Sequence, residues 1–198
     1  INMLIIATPD KASFLKGLGR DHGFLFGNRT PSEVLQILAQ PGSAAAWQVE
    51  GQLDADGSPV MLEQGMPVNR TMRRPSRITA ATRPYVAGAV VVLDSAALGG
   101  LTTTQVADYA LMRAFAKVDV QKLDAGSPPT ILRALDAPAD EEVPVTLTQW
   151  DLAFLKGLYS GTNNLYAPSQ RSEIGRTIEK EIGADTAKEK PQSDRSQG

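Results

Sequence analysis

The chain has 198 residues, a net charge of −2, 42% hydrophobic and 21% charged residues, and no cysteine. Thiol catalysis, thiolate zinc sites and disulfides are therefore excluded, and the near-neutral balance gives no global pull toward nucleic acid or an anionic membrane. A chain of this length buries roughly 70% of its unfolded surface and needs no disulfide or metal staple.

In chain order, Asn2 to Ala7 reads as a buried strand. Thr8-Pro9-Asp10 opens a short helix with Phe14, Leu15 and Leu18 on its apolar face and Gly19 as a stop. After an apolar stretch, Gly23 to Phe26, Thr30-Pro31-Ser32-Glu33 supplies an N-cap, a proline at the first helical position and a capping-box acid. Val34, Leu35, Ile37 and Leu38 form that helix's buried face, and Pro41-Gly42 ends it.

Ala44 to Leu53 alternates as a strand does, and Asp54-Ala55-Asp56-Gly57 is a turn signal. Pro59 to Leu62 is then the expected return strand of a hairpin. From Glu63 to Pro84 the chain is rich in Pro, Gly, Arg and Thr and is read as a surface loop. Gly88 to Asp94 is the strongest strand, β-branched and apolar on both faces, and is expected at the centre of the sheet.

Gly99-Gly100 punctuates the chain. Thr102 caps a helix reaching about Lys117, with Gln105 in the capping-box position. Val106, Ala110 and Arg113, with Ala107, Leu111 and Ala114 beside them, make it apolar round much of its girth and predict deep packing. A short helix over Thr130 to Leu135 and an acidic loop over Ala137 to Pro144 follow. Thr148 caps a helix from Gln149 to Tyr159, with Trp150, Phe154 and Leu158 on one face. Ser169 caps the last helix, where Ile174, Ile178 and Ile182 recur every fourth residue and Gly183 closes it.

Strands early and helices late predict an α+β fold: a mixed sheet with a central strand near 88–94 and packed helices, mostly in the C-terminal half. One domain over 1–183 and a disordered tail over 184–198 are expected. No stretch approaches the roughly 18 apolar residues of a membrane span. The chain shown begins at Ile1, so it is expected to be processed or truncated. Removal of a signal peptide is the preferred explanation, which predicts a periplasmic or secreted protein.

Chemistry-bearing residues are few. His22 is the only histidine, and it sits between Asp21 and Gly23 in an apparent loop. Zinc normally takes three or four ligands from His, Cys and carboxylate, so no metal centre and no cofactor are expected. A Ser-His-Asp arrangement would have to use His22, and the short glycine pairs lack the rest of a phosphate loop. Glu33, Asp94, Asp108 and Asp151 lie in or beside regular elements, and helix capping and dipole roles explain Glu33 and Asp151. Asp108 stands inside a largely apolar helix and calls for a partner, with Arg113, Arg77 and Arg83 as candidates. Arg70, Arg73, Arg74, Arg77 and Arg83 form a basic group suited to an anionic ligand or a partner protein. No aromatic residues are interleaved there as nucleic-acid platforms require.

Two segments carry a resemblance. The first is Val90-Val91-Val92-Leu93-Asp94 followed by Leu101-Thr102-Thr103-Thr104-Gln105-Val106-Ala107-Asp108-Tyr109-Ala110-Leu111-Met112-Arg113. The second is Leu147-Thr148-Gln149-Trp150-Asp151-Leu152-Ala153-Phe154-Leu155-Lys156-Gly157-Leu158-Tyr159, with Gln170-Arg171-Ser172-Glu173-Ile174 beyond it. Over about residues 88 to 182 the chain resembles an uncharacterised family of exported bacterial proteins, similar in turn to zincin-type metallopeptidases.

A zincin helix carries His-Glu-x-x-His, two imidazoles one turn apart with a Glu that activates water. The matching register here is Ala107-Asp108-Tyr109-Ala110-Leu111, which has no histidine and keeps only an acid. The resemblance implies a zincin-like scaffold without its metal: a non-enzymatic envelope protein acting by surface contacts. The rival expectation is a carboxylate-dependent hydrolase using Asp108 and a second acid.

Overall fold

The computed structural model describes residues 2–21, 26, 29–53, 56, 83–116, 118, 120, 123, 126–138, 141–160 and 171–186. They form an α+β fold in two compact units, residues 1–101 and 102–198. The Pro59–Leu62 return strand, His22, and Arg70, Arg73, Arg74 and Arg77 lie outside the described residues.

The first unit contains β1 (Asn2–Thr8), α1 (Lys11–Asp21), α2 (Pro31–Leu38), β2 (Ala44–Leu53) and β3 (Arg83–Asp94). Its sheet has the order β1-β3-β2. β3 pairs parallel with β1, from Asn2↔Gly88 to Thr8↔Asp94, and antiparallel with β2, from Ala44↔Leu93 to Leu53↔Arg83, with a bulge at Val49/Glu50. β3 is central, as its composition predicts. Ala89, Val90, Val91, Val92 and Leu93 are all buried, so both faces of the strand are removed from water. It begins at Arg83, five residues before the expected start, because pairing with β2 extends it into the Pro-containing stretch.

On one face, Val90 and Val92 join Leu15 and Leu18 of α1, Ile37 of α2, and Ala45 and Trp47 of β2 in a single core. Phe26 stacks on Trp47 with ring centroids 5.0 Å apart. α2 starts as its sequence dictates: Thr30 accepts from the Glu33 amide, and Glu33 accepts from the Thr30 amide at 2.7 Å. Gly19 does not stop α1, which continues to Asp21.

Gly88 lies so close to β1 that an added Cβ would sit 2.7 Å from the Asn2 carbonyl oxygen. The parallel register at the start of β1 therefore requires glycine at this position.

The second unit contains α3 (Thr103–Phe115), a 3-10 helix (Ile131–Arg133), α4 (Gln149–Ser160) and α5 (Arg171–Thr186). A 3-10 turn over Ser95–Leu98 and Gly100 at φ +87° precede it. The deep face of α3 is formed by Gln105, Tyr109 and Met112, with Ala110 and Ala114, and Ala107 is exposed. The expected face is thus rotated, because apolar residues nearly encircle the helix and composition does not set its phase. The expected helix over Thr130 to Leu135 is a single 3-10 turn. α4 and α5 meet where Gly157 leaves no room for a Cβ beside Ile178. Gly183 does not close α5, which runs three residues further. Tyr159 is 55% exposed, not core, and its hydroxyl donates to the Phe115 carbonyl at 3.1 Å.

Two outcomes are expected. Gly88→Ala forces the β1 backbone to shift and destabilises the protein by about 2 kcal/mol, measured by denaturant unfolding. The second concerns pH. The amide and hydroxyl of Thr30 hold the Glu33 carboxyl below its ordinary value of 4.5. A depressed folded value contributes stability that is fully present above the ordinary 4.5 and is lost as pH falls from there through the lowered folded value. Glu33→Gln should therefore lose to the native chain at neutral pH and close the gap in acid, read from paired urea titrations.

Candidate functional site

Asp108 is the acid that the helix pattern singles out, and α3 positions it from a well-defined start. Thr102 accepts from the Gln105 amide at 3.2 Å, and Gln105 accepts from the Thr102 amide at 3.0 Å. That box fixes the phase of the first turn. Gln105 is buried and also donates its side-chain amide to the Pro144 carbonyl at 3.3 Å. One turn on, Asp108 is half-buried. Its Oδ2 accepts from the Thr146 hydroxyl at 2.6 Å and the Leu147 amide at 3.0 Å.

Among the described residues Asp108 meets neutral donors, and Arg77 lies outside them. Arg113 lies five residues on, about 140° round the helix, where it cannot face Asp108. Its Nη1 donates to the Val118 carbonyl at 3.1 Å. Burial pushes the Tyr109 phenol well above its ordinary range, opposed by the Arg113 guanidinium beside it and reinforced by Asp136. Arg83 begins β3 and pairs by its backbone with Leu53, and its side chain lies outside the described residues. Asp94 caps the 3-10 turn, accepting from the Ala96 amide at 3.0 Å.

Asp151 is the residue whose importance exceeds what its sequence context promises. Its capping role is present: the Asp151 amide donates to the Thr148 hydroxyl oxygen at 3.1 Å, and its Oδ2 accepts from the Thr148 amide at 2.9 Å. Yet Asp151 is fully buried. Its Oδ1 accepts from the Thr130 hydroxyl, and its Oδ2 accepts from the Ile131 amide at 3.0 Å. Thr130 is itself fully buried and caps the 3-10 helix, accepting from the Leu132 amide at 3.2 Å. One carboxylate therefore starts two helical segments at once. The Thr148-x-x-Asp151 box was legible. The second set of donors lies about twenty residues upstream and leaves no local pattern.

The two carboxylates share a purpose. Leu147 donates its amide to Asp108 on α3, and the next amide, that of Thr148, goes to Asp151 on α4. The link from Pro144 to Thr148 is thereby tied to both helices. Among the described residues no group of three or more His, Asp or Glu side chains converges as metal ligands would.

The chain matches no family model, no curated protein and no solved structure.

Removing these acceptors should have unequal effects. Asp151→Ala strands buried donors from Thr130, Ile131 and Thr148 and is expected to destabilise by about 3 kcal/mol or more. Asp108→Ala exposes its donors to water and should cost about 1 kcal/mol. Denaturant unfolding followed by circular dichroism measures both, and equal losses would contradict the assignment of Asp151 as the deeper anchor.

Proposed function

We propose that the chain is a non-enzymatic bacterial cell-envelope protein, periplasmic or secreted, on a zincin-like scaffold without a metal, acting through surface contacts. One observation carries the non-enzymatic part. Asp108 occupies the register that the resemblance assigns to a catalytic acid, and its Oδ2 is engaged by the Thr146 hydroxyl and the Leu147 amide. An oxygen committed to holding its own chain is not offered to a substrate or a water.

The neighbouring positions support the same view. In the matching register the two metal-binding places are Ala107, which is exposed, and Leu111, which is half-buried. Neither can donate a lone pair. Asp151, the other acid of this unit that sequence alone made a candidate, is sealed from solvent by its own donors. The envelope location and the zincin kinship rest on the resemblance over about residues 88 to 182. The contact surface suggested by sequence, Arg70 to Arg83, would suit an anionic ligand or an acidic face on an envelope protein.

The second reading is a carboxylate-dependent hydrolase. It is favoured by the fact that Asp108 is only half-buried and that the bonds from Thr146 and Leu147 engage Oδ2 alone.

Metal analysis and turnover separate the two. The purified chain is expected to carry no stoichiometric zinc and to leave peptide and glycan substrates intact. Stoichiometric zinc, or hydrolysis abolished by Asp108→Asn in a protein that still folds, overturns the non-enzymatic assignment.

A further inference from the structure

The sheet of the first unit has two outer edges among the described residues, and the chain treats them oppositely. A strand edge presents unpaired N–H and C=O groups that template pairing with another strand, so natural proteins guard it. Before its bulge, β2 turns outward the carbonyls of Ala44, Ala46 and Gln48, and all three are met by side chains. Gln40 imitates a neighbouring strand: its amide nitrogen donates to the Ala46 carbonyl and its oxygen accepts from the Ala46 amide, both at 3.0 Å. Arg29 donates to the Gln48 carbonyl at 2.9 Å. Lys11 reaches Ala44 at 3.5 Å while bonding Gly42 at 2.6 Å and Gln40 at 2.9 Å. This half of the edge is occupied.

Among the described residues, β1 has no such guard. Beyond its ladder to β3, the one hydrogen bond of residues 2–8 is that accepted by the Thr8 hydroxyl from the Asp10 amide. Its sequence, Asn-Met-Leu-Ile-Ile-Ala-Thr, holds no charge and no proline. Its register with β3 is unbroken by any bulge. Leu4, in its middle, is 46% exposed although it stands on the same face as Ile6, which packs on the core.

We propose that β1 is a homodimer interface. Two copies pair their β1 strands antiparallel about a two-fold axis through Ile5, joining two three-stranded sheets into one of six strands. The strand is complementary to itself in this register. Ile5 meets Ile5, Leu4 meets Ile6, Met3 meets Ala7, and Asn2 meets Thr8, so apolar faces apolar and polar faces polar. An edge bearing charge would repel its own copy across the axis; this one carries none. Gln40, Arg29 and Lys11 occupy the outward carbonyls of β2 from Ala44 to Gln48, which opposes strand addition there and favours two copies over a fibre. Seven paired residues span about 23 Å. That is a small interface, which sets the expected dissociation constant on the order of micromolar. The dimer stands beyond the proposed function and does not depend on whether Asp108 is catalytic.

Sedimentation of the purified chain over a wide concentration range tests it. A reversible monomer–dimer equilibrium is expected, with β1 amides gaining protection from deuterium exchange as the dimer fills. Leu4→Lys places two ammonium groups diagonally across the axis and should weaken dimerisation tenfold or more while circular dichroism stays native. Leu4→Thr, which keeps strand propensity, should weaken it less and covers the case in which the lysine variant fails to fold. A monomer at every concentration overturns the proposal, as does a dimer that tolerates both substitutions or leaves β1 unprotected. A monomer whose β1 becomes protected only when an extended peptide of another sequence is added also overturns it.

Discussion

A carboxylate with no access to water must find its donors inside the protein, and Asp151 shows how much structure that requirement can organise. Leaving such a group without partners is costly, and each donor left unmet beside it adds to the penalty. Asp151 satisfies itself by taking amides and hydroxyls from two places, the start of its own helix and the start of the 3-10 helix at Ile131. Those two starts are consequently fixed to each other. Thr148 strengthens the link, because its hydroxyl also donates to the Pro129 carbonyl at 2.8 Å. α3 joins the arrangement through Gln105 and Asp108, which hold Pro144, Thr146 and Leu147. Polar groups thus lace the second unit beside the buried Ile131 and Leu132.

This lacing bears directly on function. Acids in a chain poor in histidine and free of cysteine invite a catalytic interpretation, since little else could do chemistry. The acids here differ in how far they are committed. Asp151 is wholly internal, Asp94 and Glu33 cap helices, and Asp108 is half-exposed with one oxygen in use. A hydrolytic pair needs two carboxyls facing one accessible space. Three of these four have their structural work in hand at a helix start, and the fourth supports the link that follows. That commitment supports the surface-contact role we propose.

How much of this could be read from the sequence depended on the distance over which each interaction acts. The capping boxes at Thr30/Glu33, Thr102/Gln105 and Thr148/Asp151 lie within one turn, so their residue types at fixed spacing announce them. β3 was equally legible, because a β-branched run apolar on both faces has few places to go but the middle of a sheet. The phase of α3 was not. Its residues are apolar on several sides, and only tertiary packing chose Tyr109 and Met112 as the deep face, leaving Asp108 on a flank. Asp108 is half-buried there, and Arg113, the one candidate partner whose side chain is described, bonds the Val118 carbonyl instead. The donors to Asp108 lie almost forty residues later, in a stretch whose Thr and Leu carry no local mark of the role.

The same limit applies to the sheet edges, with a sharper consequence. Lys11, Gln40 and Arg29 look in sequence like ordinary polar surface residues, as would be expected before a turn or at a helix end. Only the fold reveals that each spends its donors on the outward backbone of β2. A cation used in this way supplies little that a surface ion pair would not, since exposed pairs contribute less than about 1 kcal/mol. What it does supply is exclusion, because a strand whose carbonyls are already met cannot accept a neighbour. The chain therefore commits three long side chains to one half of the β2 edge, while β1, uncharged and without a bulge, has no such contacts among the described residues. That asymmetry is difficult to explain for a sheet meant to stand alone, and it follows naturally when one edge is reserved for pairing and the other must not compete.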